Sequence, residues 1–292
     1  MIDMFEELTR CQTAVDERLD GFFNYDVSYR RLLESMRYSI LAGGKRIRAV
    51  LCIKFCEASG GALSDALDAA CAIEMLHTYS LIHDDLPCMD DDDMRRGKPS
   101  NHIQFGVFTA TLAGDALQAA AFETLLQSGL PAPATAEMAR ILAVAAGPHG
   151  ICGGQFLDLS GENHELTPDK LKEINRLKTA ALISASTKIG VVAAGGTPAQ
   201  IEAAEGYANA LGLAFQVRDD LLDLTATPEV LGKPTGSDRE NKKSTLATML
   251  GIEECENLIK SETEKAVSAL DGIFEDTEFL EWFAKLLADR KY

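Results

Sequence analysis

The chain is short of positive charge, of paired cysteine motifs and of β-strand signals, and each shortage closes off a class of function. Lys and Arg number 28 against 45 Asp and Glu in 292 residues, a formal net charge of −17. A nucleic-acid backbone would be repelled by such a chain, so no nucleic-acid partner is expected; anionic small molecules remain open if cations mediate the contact. The 7 cysteines include no CxxC pair, which suits reduced thiols and a cytoplasmic location. Cys52 and Cys56, four apart on an expected helix, could in principle bind metal, but buried apolar thiols are the preferred reading. No run approaches the roughly 18 apolar residues that cross a bilayer, and Met1 to Arg18 is charged and amphipathic rather than a signal peptide. No Ser/Pro-rich linker, low-complexity tract or repeat divides the chain, so residues 1–292 are read as a single domain. No Ser/His/Asp or Cys/His constellation suggests a nucleophile.

What is present is helical. Ala, Leu, Glu and Lys dominate, and alternating β-branched runs are missing. The pattern predicts helices over 2–21, 26–42, 45–59, 65–87, 103–127, 134–148, 168–190, 198–224, 238–250, 252–270 and 276–289. Thr167-Pro168 and Thr197-Pro198 have the form of helix starts, with Thr as N-cap and Pro in the first turn. Several helices are apolar on most faces, which places them inside a bundle. The fold class expected is all-α: a large single-domain bundle of mostly antiparallel helices around a central cavity, its mouth carrying carboxylates.

The carboxylates come in two clusters. One runs Asp84-Asp85-Leu86-Pro87-Cys88-Met89-Asp90, followed by Asp91, Asp92 and Asp93; the other is Asp219-Asp220-Leu221-Leu222-Asp223. Acidic runs are usually solvated faces. These two, however, adjoin apolar helical stretches, where charge is costly unless it serves a purpose. Carboxylates on facing helices would hold hard cations, and those cations hold phosphate oxygens. Basic groups of the kind that bind phosphate accompany them. Gly43-Gly44-Lys45-Arg46-Ile47-Arg48 puts a glycine turn before a helix start, with Lys45 and Arg48 expected on one helical face. Arg95 and Arg96 directly follow the first cluster, one suited to a metal-bound diphosphate and the other to a second, metal-free anion.

Taken in order, GGKRIR, HTYSLIHDDLPCMDDDDMRRGKPSNH, AGDAL, GGQFLDL, RLKTAALI and FQVRDDLLDL resemble a trans-isoprenyl diphosphate synthase, nearest the bacterial farnesyl/geranylgeranyl type. The resemblance covers roughly Tyr38 to Leu250 and implies an isoprenoid-synthase bundle. It implies three Mg²⁺ held by Asp84, Asp85, Asp90, Asp219 and Asp223, with catalysis resting on Asp84, Asp90, Arg95, Lys178 and Asp219. By the same resemblance Arg95, Lys178 and Lys233 bind the allylic diphosphate, and Lys45, Arg48, His77 and Arg96 bind isopentenyl diphosphate. Gln216 and Thr179 line the cavity. His77, taken by position alone, could equally be a satisfied core histidine. Ala49 stands where the family commonly has proline and Ala180 where it has glycine, and whether Lys242 or Lys243 touches the diphosphate is open. A homodimer is implied too.

The reaction implied is condensation of isopentenyl diphosphate with dimethylallyl or geranyl diphosphate. Tyr79 lies five residues before Asp84, roughly 7–8 Å deeper along the helix, where with Ser80 it would floor the cavity. That predicts farnesyl diphosphate as product. The alternatives are a geranylgeranyl or geranyl diphosphate synthase, a class I terpene cyclase, a non-catalytic prenyl synthase subunit, and an acidic divalent-ion buffer.

Overall fold

The computed structural model of the chain describes residues 3–161, 164, 166–225 and 245–290. Lys233, Lys242 and Lys243 lie outside the described residues, as does the first part of the helix expected over 238–250. The fold is all-α. The chain divides into two compact units, residues 1–140 with 189–195, and residues 141–188 with 196–292.

In the first unit, α1 (Met4–Asp20) is capped by Asp3, whose carboxylate accepts from the Phe5 N–H at 2.9 Å. Next come α2 (Arg30–Ile40), α3 (Ile47–Ala58) and α4 (Leu63–Asp84). A two-residue strand pair follows, β1 (Met94–Arg95) and β2 (Lys98–Pro99), then α5 (Asn101–Phe105) and α6 (Val107–Leu126). As its all-round apolar sequence requires, α4 is buried along most of its length, packed on α1, α2, α3 and α6. Two glycines permit close helix contacts here. A Cβ on Gly114 would meet the His83 ring at 2.2 Å, and one on Gly190 would meet the Cys52 carbonyl at 2.1 Å. Cys52 and Cys56 are both fully buried. Burial pushes the Cys56 thiol up to about 12 and that of Cys52 well up, so they are protonated apolar fillers.

The chain passes between the units inside α7 (Ala132–Ala146), inside α10 (Ala181–Ala193) and again after Gly195. The second unit holds α8 (Ile151–Gly161), α9 (Pro168–Asn175), a π-helical turn at Arg176–Ala180, α11 (Pro198–Thr225), α12 (Leu246–Leu250), α13 (Ile252–Ser268) and α14 (Glu278–Ala288). Thr167 and Thr197 cap as expected, accepting from the N–H groups of Lys170 and Gln200 at 3.3 Å. Leu171, Val217, Leu221, Leu246 and Ile259 build a core in which α11 packs on α9, α12 and α13. Tyr207, fully buried, donates its hydroxyl to the Leu280 carbonyl at 2.9 Å and ties α11 to α14.

The helix expected over 103–127 is parted at Gly106 (φ 89°) into α5 and α6, the β1–β2 pair was not expected, and two further departures bear on the second unit. Helix α8 was not foreseen, because Gly153-Gly154 looks like a breaker; a Cβ at Gly154 would lie 2.4 Å from the Lys178 nitrogen, so the glycine is there for close backbone approach. The helix expected over 168–190 is interrupted by the π-helical turn, which carries Lys178 and Thr179.

Candidate active site

The first aspartate cluster sits where α4 ends. The Asp90 N–H donates to the Asp84 carbonyl at 2.9 Å, and Met89 and Asp91 both donate to the Leu86 carbonyl. The four-residue spacer therefore folds back on itself and returns Asp90 to the foot of α4, beside Asp84. Both residues are half-buried. Asp85 is used differently. It is 2 % exposed and gives its oxygens to Arg95, at 3.0 and 3.2 Å from Nε, and Arg95 also reaches Asp92 at 3.2 Å. Asp85, expected among the metal ligands, is engaged by Arg95 in a charge-assisted pair that sets the direction of the guanidinium.

Arg95 and Arg96 part at the hairpin. Met94 pairs with Pro99 and Arg95 with Lys98, leaving Arg96-Gly97 as a two-residue turn with φ of 53° and 74°. Positive φ at both positions is the primed hairpin geometry. For arginine it is a strained conformation of the sort that persists where the surroundings over-determine it. The fold anchors the hairpin firmly. Tyr38 donates to the Pro99 carbonyl at 2.8 Å, and buried Asn101 bonds Ser35 and Ser39. The cavity beneath it, about 30 Å³, has room for a water or two but not a substrate.

Arg96 consequently points to the glycine turn. It donates to the Gly43 carbonyl, and its guanidinium carbon lies 2.9 Å from where a Cβ on Gly44 would stand. Arg48 approaches His77 at 3.4 Å. The His77 imidazole is pushed well below its ordinary pKa, first by desolvation and then by Arg48, Arg96, Arg46 and Arg95. Arg48, His77 and Arg96, expected to share an anion, are brought together. Lys45 departs from expectation: it precedes α3 instead of sharing its face with Arg48, because Arg46 takes a left-handed conformation (φ 49°) and turns inward. Arg46 is 3 % exposed, bonded to Asp16, Glu74 and the Ile40 carbonyl, so it is the structural member of the basic motif. Ala49 uses the N–H that a proline would lack, donating to Glu74 at 3.4 Å.

Tyr79 and Ser80 are buried, at 6 % and 8 % exposure. The Tyr79 ring meets the His83 ring edge-on at 5.5 Å, and His83 packs into the space left by Gly114 of α6.

In the second unit the π-helical turn presents Lys178 to Asp158 of α8 at 2.6 Å. Thr179 donates to Gln216 of α11 at 2.9 Å, and Gln216 donates to Asp220 at 3.0 Å. A Cβ on Gly212 would meet Ala180 at 2.7 Å, so the extra methyl of Ala180 is accommodated by a missing one opposite. Asp220 is buried and accepts the Leu246 N–H at 3.2 Å with its other oxygen, fixing the start of α12. Asp219 and Asp223, one turn apart on α11, are the half-buried carboxylates of this cluster. Asp158, Asp220 and Arg46 were not singled out from the sequence. All three lie within motifs quoted above, but neighbouring residues of the same charge give no sign in the sequence of which is buried.

Each cluster by itself offers hard oxygen ligands of the kind Mg²⁺ takes: Asp84 and Asp90, returned to each other at the foot of α4, in the first unit, and Asp219 and Asp223 on α11 in the second. Among the described residues no three His, Cys, Asp or Glu side chains converge as a ready-made cage. Mg²⁺ needs none: it is held by one or two carboxylates together with substrate phosphates.

Comparison with known proteins gives the fold and the family. Three solved structures share the fold along nearly the whole chain: an FPP/GFPP synthase from Zymomonas mobilis (31 % identity, 98 % of each chain, TM-score 0.86), a putative farnesyl-diphosphate synthase from Marinomonas sp. MED121 (35 %, 99 % and 100 %, 0.85) and a geranyltransferase from Legionella pneumophila (32 %, 99 % and 97 %, 0.87). The fold is therefore the all-α isoprenoid-synthase fold. The chain belongs to the polyprenyl synthetase family, matched over residues 29–276. Similar curated relatives are geranylgeranyl pyrophosphate synthases 3 and 7, chloroplastic, of Arabidopsis thaliana. They are 48 % and 45 % identical over 82 % and 89 % of this chain and 68 % and 76 % of their own lengths. No helix among the described residues is long and apolar enough to cross a membrane.

Proposed function

We propose that the protein is a Mg²⁺-dependent trans-prenyltransferase that condenses isopentenyl diphosphate with an allylic diphosphate, with residues 1–292 acting as one synthase domain. The observation that carries this is the contrast at the hairpin. Arg95 is tied to the carboxylate cluster, whereas Arg96 joins Arg48 and His77 at a glycine turn. One diphosphate with metal and one without is the pair of substrates such a division serves.

On this reading Asp84 and Asp90, and Asp219 and Asp223, hold three Mg²⁺, while Asp85 steadies Arg95 against the allylic diphosphate. When bound, the metal neutralises the charge that grows on the departing diphosphate. Lys178, set by Asp158, adds a cation to the same group, and Lys233 is proposed to do so too. Lys45, Arg48, His77 and Arg96 hold isopentenyl diphosphate, His77 being neutral at first and a donor once an anion offsets its arginine neighbours. Thr179 and Gln216, bonded to each other, line the cavity near the reacting carbons. Apolar helix walls exclude water that would quench it. A cytoplasmic homodimer is proposed with it; exposed Ile103, Phe108 and Leu112 are apolar groups that a second copy could cover.

For the end product, the relatives named geranylgeranyl pyrophosphate synthases support the twenty-carbon compound over the farnesyl product expected from Tyr79. The farnesyl reading keeps one observation, the buried Tyr79 ring backed by His83, and the Marinomonas protein named a putative farnesyl-diphosphate synthase supports it. The test is incubation with Mg²⁺, isopentenyl diphosphate and, in turn, dimethylallyl, geranyl and farnesyl diphosphate. Accumulation of the twenty-carbon diphosphate supports the first reading and arrest at fifteen carbons the second. Release of hydrocarbon without chain growth, or no turnover, refutes both.

A further inference from the structure

Asp219 has a partner that neither the motif nor the proposed mechanism uses. Arg290, two residues beyond the end of α14, forms an ion pair with Asp219 Oδ1 and donates to the Phe215 carbonyl at 3.1 Å. Its guanidinium carbon stands 3.7 Å from the centroid of the Phe215 ring. Phe215 and Asp219 are one turn apart on α11, so ring, carbonyl and carboxylate form a single cradle. The approach is fixed from the other side as well. Arg218 donates Nε to the Ala288 carbonyl at 2.6 Å and grips Glu256 of α13 at 2.7 and 2.8 Å, pinning the last turn of α14. The Arg290 side chain is 12 % exposed, that of Asp219 43 %.

We propose that Arg290 is a positioning residue for the metal ligand Asp219: it holds Oδ1 and leaves Oδ2 aimed for the cation. Two features set it apart from a surface ion pair. The guanidinium is preorganised by Phe215 independently of the carboxylate, so the pair loses little side-chain freedom when it forms. The bonded oxygen is one of two, and a ligating carboxylate oriented by an outer hydrogen bond keeps its other oxygen for metal. The neighbouring Asp220, with both oxygens engaged by Gln216 and Leu246, has no such freedom. The two aspartates, equal in sequence, are thereby divided into a ligand and a strut.

The inference rests on the proposed function, and the experiment separates the two. Mn²⁺ binding in the presence of inorganic pyrophosphate is measured by electron paramagnetic resonance on wild type, Asp219→Asn, Arg290→Gln and Arg290→Lys. Arg290→Gln is expected to weaken the Mn²⁺ midpoint by about tenfold or more with unchanged stoichiometry, the usual effect of removing an outer partner. Arg290→Lys, which keeps the charge, recovers most of the loss and also serves if the glutamine variant fails to fold. Unchanged or tighter Mn²⁺ binding in Arg290→Gln, while Asp219→Asn binds poorly, overturns the role of Arg290 and leaves the proposed function standing. Asp219→Asn binding as well as wild type overturns the metal reading itself.

Discussion

Gly154→Ala would test whether the π-helical turn is held by backbone contact with α8. The added methyl would stand 2.4 Å from the Lys178 nitrogen, 2.7 Å from its Cα and 2.9 Å from the Leu177 carbonyl carbon. All three are backbone atoms, so no side-chain rotation relieves the clash, and α8 and the turn must separate. Overpacking of this kind costs about 1–3 kcal/mol. Replacing a mid-helix glycine by alanine returns about 1 kcal/mol, leaving a net loss of roughly 0–2 kcal/mol and a drop of a few degrees in Tm. Activity should suffer more: a displacement near 1 Å of a group placed against the substrate costs on the order of a hundredfold. Gly206→Ala is the matched control, also inside a helix, but its Cβ would meet only the Ala269 methyl at 3.5 Å, an ordinary contact. It should gain roughly 0.5–1 kcal/mol and keep its rate. Thermal melts and kcat on the two variants decide the matter. If Gly154→Ala melts with Gly206→Ala and stays within twofold of wild type in kcat, the close approach does not position Lys178.

Three other perturbations probe separate contacts. Arg46→Ala strands the Glu74 carboxylate, itself 2 % exposed, and should cost about 3–5 kcal/mol in urea unfolding, with Arg46→Met/Glu74→Leu recovering most of it; an equally unstable double variant would contradict the assignment. His77, its pKa lowered in the folded protein, is protonated first in the unfolded chain. Its contribution is intact above the unfolded value of about 6.5 and lost as pH falls toward the folded value. Wild type should therefore lose Tm more steeply than His77→Gln from pH 7 to 5, and parallel curves would count against a desolvated neutral ring. Asp158→Asn removes the partner of Lys178 and should lower kcat/KM by about ten- to a hundredfold with an unchanged circular dichroism spectrum. A change under twofold would mean that Lys178 is placed without it.

Helix content was legible because periodicity and capping are local: Thr167, Thr197 and the apolar stretch of α4 behave as their sequences dictate. The errors share a cause. Gly153-Gly154 signals a break locally, and only Lys178, twenty-odd residues on, reveals the packing that keeps α8 intact. Lys45 falls off α3 because burying Arg46 on Glu74 and Asp16 outweighs continuing the helix backward. The candidate site was legible only as a set of residue types, carboxylates and guanidinium groups of the kind that hard cations and diphosphates take. Which of two adjacent aspartates or arginines does which task was not. That is decided by helix phase and by the hairpin turn, which sends Arg95 to Asp85 and Arg96 to Gly43.

The five residues Arg176–Ala180 also act as a phase shifter. A π-turn holds one residue more than its α counterpart, and each residue rotates a helix by about 100°. Everything on α9 is therefore turned by that angle relative to where an unbroken helix leading into α10 would put it. Deleting one residue there would yield a smoother rod, one in which Leu171 and Ile174 swing away from their apolar neighbours or Lys178 swings away from Asp158. The irregularity lets one continuous rod serve two masters, a greasy seat at one end and a charged one at the middle.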